Sequence, residues 1–369
     1  MHVGILTGGG DCPGLNAVIR ATTLALLEGG AEAAPAYRVT GIERGFLGLL
    51  DGRSRSLDDA SVRGIVAEGG TLLGTHNRAD PFHFFGAQGA DCSAQALDFL
   101  GQQGIEALVV IGGDGTMTIA ERFDRLGVPV VGVPKTIDND IARNERSFGF
   151  DSAVAVVADA LCRLETTARS HGRVMVVETM GRNAGWIALE GGLAGGADVI
   201  LLPELPYAIE QVEAVCRQRL AAQGYALVCI AEGARAIGGE QVVQRVVPGS
   251  PEPLRLGGAG QQLAHALEAR LAVGAGVEGA PEVRYTLLGH LQRGGAPSSF
   301  DRVLATRYGV AAAALVAQRR FGRMLALQNN VCVDVALGEV AGQTRQVPLD
   351  HELIIAARRM GVGLGATLL

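Results

Sequence analysis

Short apolar runs alternate with helix-like stretches along most of this chain, and glycine-rich turns follow several of the runs directly. A run from Val3 to Leu6 leads through a turn at Gly8 to Asp11 into a helical pattern from Leu15 to Leu27. A second run, Leu108 to Ile111, is followed by a helical pattern from Thr116 to Leu126. Strands that alternate with helices in this way are typical of parallel βαβ units. The sequence therefore predicts an α/β fold with mostly parallel sheets.

A polar stretch from Pro134 to Arg146 interrupts the alternation, which restarts after it and places a domain boundary near Phe150. The length of 369 residues also suits about two domains. The stretch from Gly233 to Gly258 is rich in Gly and Pro and is predicted to be a loop or insertion. A helix from Arg302 to Ala317 is the last element that the pattern predicts.

The chain has 32 basic and 38 acidic residues, so its formal net charge is 32 − 38 = −6. The basic residues are scattered, whereas binding to nucleic acid needs a basic stripe that neutralises phosphates. Apolar runs such as the one that begins at Ile105 are shorter than the ~18 residues of a membrane helix. The N-terminus shows no secretory signal, which predicts a cytoplasmic protein. We expect no nucleic acid and no membrane among its partners.

Two glycine-rich turns each follow an apolar strand and precede a helix. The turn from Thr7 to Asn16 suits an anion, because backbone N–H groups and a helix N-terminus can face it, and it equally suits a structural tight turn. The turn from Ile111 to Thr116 places Asp114 at the carboxyl end of a strand, where open α/β sheets bind ligands. A carboxylate there suits Mg²⁺ on phosphate oxygens, although Asp is also a common helix N-cap. The sequence GGDGT indicates a phosphoryl donor and also occurs in NAD kinases and diacylglycerol kinases.

A third cluster, PKTIDND, extends from Pro134 to Asp140. Its two carboxylates stand two residues apart, beside a hydroxyl and an amide. One carboxylate can act as general base on an attacking alcohol while its neighbours orient it. Asp and Asn are also ordinary turn formers, which explains Asn139 better than it explains the whole string.

The motifs SHGR, ETMGR, AEG and GHLQRGG follow these three clusters along the chain. In this order and at about this spacing, the set resembles the 6-phosphofructokinases, in particular the branch with both ATP-using and pyrophosphate-using members. The likeness extends from Val3 to about Asn330, whereas NAD kinases and lipid kinases share one motif of the set. The resemblance implies an ATP-dependent phosphotransferase of glycolysis, which transfers a phosphoryl group from MgATP to the 1-hydroxyl of fructose 6-phosphate and forms fructose 1,6-bisphosphate.

The resemblance also implies roles for matching residues around the transferred group. Asp138 would be the general base, with Thr136 and Asp140 beside it, and Arg182 would stabilise charge on the phosphoryl group. The Mg²⁺ would be held by Asp114. Residues that line the nucleotide would be Gly10, Arg78, Gly113, Asp114, Gly115 and Thr116. Arg78 is assigned within LGTHNRADPF, which is one residue longer than the corresponding bacterial segment.

For the sugar phosphate, the resemblance implies that Glu232 hydrogen-bonds the sugar. It also implies that arginine guanidinium groups bind the 6-phosphate, a dianion to which they can donate paired hydrogen bonds. The residues assigned to the substrate are Thr136, Asp138, Arg173, Met180, Gly181, Arg182, Glu232, Arg284, His290 and Arg293. Each residue has an alternative explanation when it is considered alone. His290 could be a core residue, Arg173 and Arg284 surface residues of strands, and Glu232 a helix cap. Arg173 and Arg284 match arginines that reach across from a neighbouring subunit. We therefore expect a homodimer or homotetramer with shared active sites.

The resemblance further implies two Rossmann-like, three-layer α/β/α domains with the active site in the cleft between them. The nucleotide-binding domain would comprise residues 1-149 and about 292-342. The sugar-phosphate-binding domain would comprise residues 150-291 and the C-terminal segment 343-369.

The identity of the donor depends on two positions in the family. Pyrophosphate-dependent members read GGDD and PKTIDND, whereas short bacterial ATP enzymes read GGDG and PGTIDND. This chain combines Gly115 with Lys135, which is its only lysine. Because Gly115 replaces the second aspartate of GGDD, the adenine side of the donor site is open. Lys135 adds a charge but does not block this space, so ATP is favoured as the donor. The alternatives are a pyrophosphate-dependent fructose-6-phosphate phosphotransferase and a non-catalytic sugar-phosphate-binding regulatory subunit. Asp114, Asp138 and Arg182, all present, argue against the latter.

Overall fold

The computed structural model describes residues 1–29, 37–247, 253–273 and 279–366. The chain packs into two compact units. Unit 1 includes the described residues of Met1–Ser152 and of Arg293–Arg345, and unit 2 includes those of Ala153–Val247, Leu254–Gln292 and Gln346–Leu369. Residues 248–252 of the predicted loop and 367–369 of the predicted C-terminal segment lie outside the described residues.

The strands of the described residues are His2–Thr7 (β1), Arg38–Ile42 (β2), Ser54–Leu57 (β3), Ala107–Gly112 (β4), Val130–Pro134 (β5), Val174–Thr179 (β6), Val199–Leu201 (β7), Ala226–Ala231 (β8), Val243–Val246 (β9), Leu254–Leu256 (β10), Val283–Leu287 (β11), Arg323–Gln328 (β12) and Val331–Ala336 (β13). Their α-helices are Leu15–Glu28 (α1), Phe46–Asp51 (α2), Asp59–Val62 (α3), Ser93–Gln103 (α4), Asp114–Arg125 (α5), Phe150–His171 (α6), Trp186–Ala194 (α7), Ile209–Gln223 (α8), Ala259–Leu271 (α9), Ser299–Ala317 (α10) and Glu352–Arg359 (α11).

Unit 1 is built on a sheet with the strand order β13-β12-β5-β4-β1-β2-β3. The strands from β12 to β2 run parallel, and β13 and β3 are antiparallel additions at the two edges. Every residue of β1, β4 and β5 is buried, as expected for parallel strands covered on both faces. Helices α1 and α10 pack against each other.

Unit 2 contains a smaller parallel sheet with the strand order β11-β6-β8-β7. Valines and isoleucines of β6 and β8 form its core with leucines of α9, among them Leu263 and Leu267. Branched side chains pack well on such a pleated surface, which explains why these short runs become strands. Both units are α/β with mostly parallel strands, so the predicted fold class is confirmed.

The structure corrects two details of the secondary-structure prediction. Within the predicted loop from Gly233 to Gly258, β9 and β10 form an antiparallel ribbon. All residues of β9 are exposed, so the ribbon lacks the apolar alternation that reveals a half-buried strand. Beyond Ala317 the chain adds β12, β13 and α11. Among the described residues, no helix combines the length and apolar character that crossing a bilayer requires.

Candidate active site

Three predicted site segments of unit 1 leave the carboxyl ends of neighbouring strands. β1 lies beside β4, and β4 beside β5, so the loops that follow them meet at one edge of the sheet. The Gly8 N–H donates to the carbonyl of Ile111 at 2.8 Å, and the Lys135 N–H donates to the carbonyl of Gly112 at 2.9 Å. The structure thus brings together the segments TGGGD, GGDGT and PKTIDND.

Thr116, in the first turn of helix α5, lies so close to Gly8 and Gly112 that glycine is required at both positions. A Cβ atom on Gly8 would lie 2.7 Å from the Cγ2 of Thr116, and one on Gly112 would lie 2.3 Å from the Cβ of the same residue. Real Cβ atoms essentially never approach so closely. A side chain at Gly8 would push the turn away from helix α5, and one at Gly112 would displace Thr116 at the start of the helix. The glycines therefore give the turn its place beside the start of the helix, where N–H groups can meet an anion.

Two cationic side chains hold the carbonyl groups of the glycine-rich turn. The Lys135 ammonium donates to the carbonyl oxygen of Gly10, and the Nη1 of Arg293 donates to that of Asp11 at 3.0 Å. Lys135 is only 3% exposed, and this burial lowers its pKa from 10.5 to about 8. Arg293, predicted to bind the 6-phosphate, thus also contacts the turn within unit 1.

Asp114 is the first residue of helix α5, directly after the glycines that follow β4. Its Oδ1 accepts a hydrogen bond from the Gly342 N–H at 2.9 Å. A Cβ atom on the adjacent Gly115 would meet nothing within 4 Å, so open space surrounds this position. No group of three His, Cys, Asp or Glu side chains suited to a metal ion occurs in the part of the chain that the structure describes. A site that relies on one or two carboxylates and phosphate oxygens needs no such group.

The carboxylate of Asp138 is buried at the start of the segment that follows β5 and is 3% exposed. Its backbone N–H donates to the Oγ1 of Thr136 at 3.0 Å, which turns the chain back on itself. Its Oδ1 is buried and has no hydrogen-bond partner among the described residues. A buried acceptor in this state costs free energy unless a ligand supplies a donor. The structure therefore provides an acceptor for an incoming hydroxyl group.

In unit 2, Arg182 follows the carboxyl end of β6 in a left-handed conformation with φ of 52°. Its N–H donates to the Oε1 of Glu232 at 3.0 Å, so this carboxylate fixes the strained turn. Gly181 has φ of 134°, and a Cβ there would lie 2.6 Å from the carbonyl oxygen of Ala184. The Met180 N–H points to the Oε1 of Gln292 at 3.3 Å. The ETMGR and AEG motifs thus meet through a direct hydrogen bond.

The other two arginines of the predicted sugar site lie elsewhere in unit 2. Arg173 and Arg284 both pair with Glu282, at 2.6 Å and 3.2 Å, beside the first residues of β6 and β11. His290 and Arg182 follow the opposite ends of these strands. A strand rises about 3.3 Å per residue, so roughly 20 Å separates Arg173 from the end of β6, and roughly 10 Å separates Arg284 from the end of β11. Unit 2 does not by itself bring Arg173 and Arg284 to the groups that follow the carboxyl ends.

Comparison with known proteins shows to which family the chain belongs. The family model described as Phosphofructokinase matches residues 2–316 of the chain. The chain belongs to the phosphofructokinase family. A protein of Clostridium perfringens named ATP-dependent 6-phosphofructokinase 2 is 46% identical over 98% of this chain and 97% of its own length. The structure of Pichia pastoris phosphofructokinase in the T-state aligns with a TM-score of 0.76 and 31% identity, covering 92% of this chain and 35% of that chain.

Relatives of this phosphofructokinase are named for either of two donors. A Streptomyces coelicolor protein named pyrophosphate–fructose 6-phosphate 1-phosphotransferase is 46% identical over 94% of this chain and 96% of its own length. This identity equals that of the ATP-named relative from Clostridium perfringens. Similarity over the whole chain therefore does not identify the donor, and the choice depends on individual residues of the site.

Sequence reasoning missed several residues of this phosphofructokinase that support the site. The Arg345 N–H donates to the carbonyl of Asp140 at 2.7 Å, and its guanidinium donates to the carbonyl of Asn139 at 3.1 Å. Arg345 is the last residue of the described part of unit 1. No local motif marks it, because it binds backbone carbonyls about 200 residues away along the chain.

Thr75 is a second missed residue. Its hydroxyl lies 2.6 Å from the carbonyl oxygen of Gly9 and 3.0 Å from that of Thr7. The Thr7 hydroxyl in turn donates to the carbonyl of Gly74 at 2.7 Å. These contacts attach the segment that carries Arg78 to the glycine-rich turn. The structure therefore places Arg78, the predicted nucleotide arginine, in a segment that directly contacts the glycine-rich turn.

Proposed function

We propose that this protein is an ATP-dependent 6-phosphofructokinase, which transfers the γ-phosphoryl group of MgATP to the 1-hydroxyl of fructose 6-phosphate. The observation that carries the proposal is the buried Asp138 carboxylate, whose Oδ1 lacks a hydrogen-bond partner among the described residues. It follows the strand next to the one that ends in GGDGT. An acceptor for an alcohol proton beside a phosphate-binding edge is the arrangement that this transfer needs. As a step of glycolysis, the reaction belongs in the cytoplasm.

Unit 1 supplies the groups that bind the donor. The turn from Gly9 to Asp11 and the start of helix α5 present backbone N–H groups to the phosphates, and the helix dipole adds to their attraction. Lys135 and Arg293 hold the carbonyls of the turn. Arg78 adds a guanidinium group, which suits phosphate oxygens geometrically. These contacts position the γ-phosphoryl group for attack.

The acceptor hydroxyl is activated by Asp138. As the sugar oxygen forms its bond to the γ-phosphorus, the bond to the leaving ADP oxygen breaks, and the hydroxyl proton passes to the Asp138 carboxylate. Thr136 and Asp140 orient this loop, and Arg345 binds its backbone carbonyls. In unit 2, the Arg182 side chain would stabilise the charge on the transferred group, while Glu232 fixes its backbone and binds the sugar.

A magnesium ion fits the residues of unit 1. Asp114 provides a carboxylate at the start of α5, and the phosphate oxygens of the nucleotide complete the oxygen ligands that Mg²⁺ prefers. When bound, Mg²⁺ neutralises charge on the phosphates. The proposed role of Asp114 is to hold it.

Pyrophosphate is the alternative donor, because relatives named for it are as similar as those named for ATP. Two observations favour ATP. Open space surrounds a Cβ on Gly115, which leaves room for the rest of a nucleotide. Lys135, the residue shared with pyrophosphate enzymes, directs its ammonium at the carbonyl of Gly10. Its presence therefore has a structural explanation that requires no pyrophosphate.

The proposed active form is a homo-oligomer, a dimer or tetramer, in which Arg173 and Arg284 serve the site of a neighbouring subunit. Arg173 lies about 20 Å along the sheet from the end of β6, and Arg284 lies about 10 Å from the end of β11. Within the chain, both arginines pair with Glu282. A 6-phosphate dianion without them would keep only His290 and Arg293. Borrowed arginines from a second copy would supply the missing positive charge.

A coupled assay of the purified protein tests the function. Fructose 6-phosphate is supplied with either ATP or pyrophosphate, and formation of fructose 1,6-bisphosphate is measured. We expect turnover with ATP that exceeds turnover with pyrophosphate. Faster turnover with pyrophosphate would establish the alternative donor. Sugar-phosphate binding without turnover on either donor would instead indicate the regulatory-subunit alternative.

A further inference from the structure

Beyond the turn itself, the segment that Thr75 attaches to Gly9 contains a contact among three side chains. The ring of His76 stacks on the ring of Phe85, with centroids 5.2 Å apart and an interplanar angle of 9°. The guanidinium carbon of Arg78 lies 4.9 Å from the centroid of the same Phe85 ring. The backbone N–H of Arg78 donates to the Nδ1 of His76 at 3.2 Å. Both the main chain and the side chain of Arg78 are therefore constrained by His76 and Phe85.

We propose that His76 is a positioning residue for donor binding: with Phe85, it directs the Arg78 guanidinium toward the donor phosphates. The inference rests on the proposed function, which assigns Arg78 to the phosphates. An arginine side chain has many rotamers and loses this freedom when a ligand fixes it. A guanidinium that already rests on an aromatic ring has lost part of this freedom before the nucleotide arrives.

Burial adds to the constraint on Arg78. Its Nε is buried and has no hydrogen-bond partner among the described residues, so the segment encloses the base of the guanidinium. Phe85 is still 36% exposed, which keeps the stack at the protein surface, where a nucleotide can approach. The attachment of Thr75 to the carbonyl of Gly9 links this stack to the phosphate-binding turn. A change at His76 would therefore alter the direction of Arg78 without altering the turn.

The contact requires a neutral imidazole, because Nδ1 accepts a hydrogen bond and must carry no proton. Burial first, and then the charges of Arg44 and Arg78, lower the pKa of His76 below its ordinary value of 6.5, while Asp51 opposes this shift. The lowered pKa favours the neutral ring that the hydrogen bond to Nδ1 requires. Protonation at lower pH would remove the acceptor and place two like charges on the same stack. Arg78 would then lose both constraints together.

A double-mutant cycle read by ATP binding tests the proposal. Calorimetry of MgATP binding compares wild type, His76→Ala, Arg78→Ala and the double variant. Loss of one charge-assisted contact predicts about tenfold or more weaker binding for Arg78→Ala. His76→Ala should cause a several-fold loss alone and no further loss in the Arg78→Ala background. Additive losses would show that His76 acts independently of Arg78 and would overturn the proposal.

Two further variants separate the two constraints. His76→Asn offers an amide oxygen to the Arg78 N–H but removes the stacking ring, and Phe85→Leu removes the ring beneath Arg78 but keeps the acceptor. Each should weaken ATP binding less than His76→Ala, while the KM for fructose 6-phosphate stays unchanged. A parallel rise in the KM for both substrates would indicate a general structural defect and contradict a positioning role.

The pH dependence of ATP binding is the second readout. We expect the dissociation constant of wild type to rise as pH falls below 6.5, and that of His76→Asn to change less over the same range. The matched control is His83→Ala, since His83 is an exposed histidine nearby that pairs with Asp80. It should retain the wild-type profile. If His76→Asn and wild type share one profile, the proposal is wrong. The two proposals can fail separately. If His76 and Arg78 are coupled in ATP binding as expected but fructose 6-phosphate is not phosphorylated, the proposed function is wrong and the role of His76 stands.

Discussion

The predicted site residues of unit 1 and unit 2 are organised differently. In unit 1 they contact one another: Lys135 binds Gly10, Arg293 binds Asp11, and Asp138 follows the strand beside Asp114. In unit 2 they fall into two groups at opposite ends of the sheet, and two of the arginines pair with Glu282. Under the proposed function, one chain would supply the donor site by itself, whereas the proposed sugar-phosphate site would be completed by a second copy.

The difference has a physical cause in the direction of the strands. Residues that follow neighbouring parallel strands must meet, because all these strands end at one edge. Arg173 and Arg284 instead stand where their strands begin, and no folding of the same sheet can bring them to its other edge. Glu282 balances their charge in a single chain, and a phosphate dianion would compete with it as a partner.

The largest effect is expected at the centre of the unit 1 site. Asp138→Asn should lower kcat by about 10²–10⁴-fold, because the amide cannot accept the hydroxyl proton. The KM for MgATP should change little, since Asp138 does not hold the donor. Steady-state kinetics and calorimetry with fructose 6-phosphate measure the two effects. Turnover close to that of wild type would remove Asp138 from the role of general base.

The unit 2 side of the comparison is tested with Arg284→Ala. Loss of one charge-assisted contact to the 6-phosphate should raise the KM for fructose 6-phosphate about 10–100-fold and leave the KM for ATP unchanged. Light scattering gives the oligomeric state, which should be a dimer or tetramer for both variant and wild type. A fully active wild-type monomer would contradict the comparison.

Mixed oligomers sharpen this prediction. Arg284→Ala chains and Asp138→Asn chains are co-expressed with different tags, and hybrids are isolated. They are assayed at a fructose 6-phosphate concentration far below the raised KM, where Arg284→Ala alone has little activity. A hybrid interface can contain one site with an intact base and an intact borrowed arginine, so partial recovery of activity is expected. Absence of recovery in verified hybrids would show that each chain uses its own arginines.

A smaller effect is expected from a change at Gly115, one of the two positions that distinguish ATP-dependent from pyrophosphate-dependent members. Gly115→Asp should raise the KM for ATP about tenfold through repulsion of the α-phosphate, and it should raise activity with pyrophosphate. The protein accommodates the new side chain, because a Cβ there meets nothing within 4 Å. Gly101→Asp, at an equally open helical position in α4, is the matched control and should leave both donors unaffected. Equal ATP kinetics for the two variants would contradict the assignment.

The smallest effect concerns the buried lysine. Because the pKa of Lys135 falls from 10.5 to about 8 on folding, the cost of burying its charge is fully present below pH 8 and is relieved as pH rises toward 10.5. The Tm of wild type should therefore rise relative to that of Lys135→Met over this range, on the order of 4 °C. Thermal unfolding at several pH values measures the difference. Parallel Tm profiles would show that the ammonium is not buried as described.

Local sequence patterns were sufficient for the fold class and for the loops of the site. β4 is a continuous apolar run, and burial on both faces follows from that composition alone. The glycines of the turns were equally visible, since no other residue permits the close approach of Gly8 and Gly112 to Thr116. The ribbon of β9 and β10 was missed because its exposed residues follow no hydrophobic period.

The contacts that hold the site were decided by the tertiary structure. Arg345 and Gly342 bind Asp140 and Asp114 across about 200 residues of chain, and neither carries a local signal. The sequence by itself determined which chemical groups the chain carries and at which strand ends they stand, because strand direction and turn geometry are local properties. Only the tertiary structure decided that the ammonium of Lys135 meets Gly10 and that Arg173 and Arg284 share Glu282, since such pairings depend on strand order and on which side chains burial brings together.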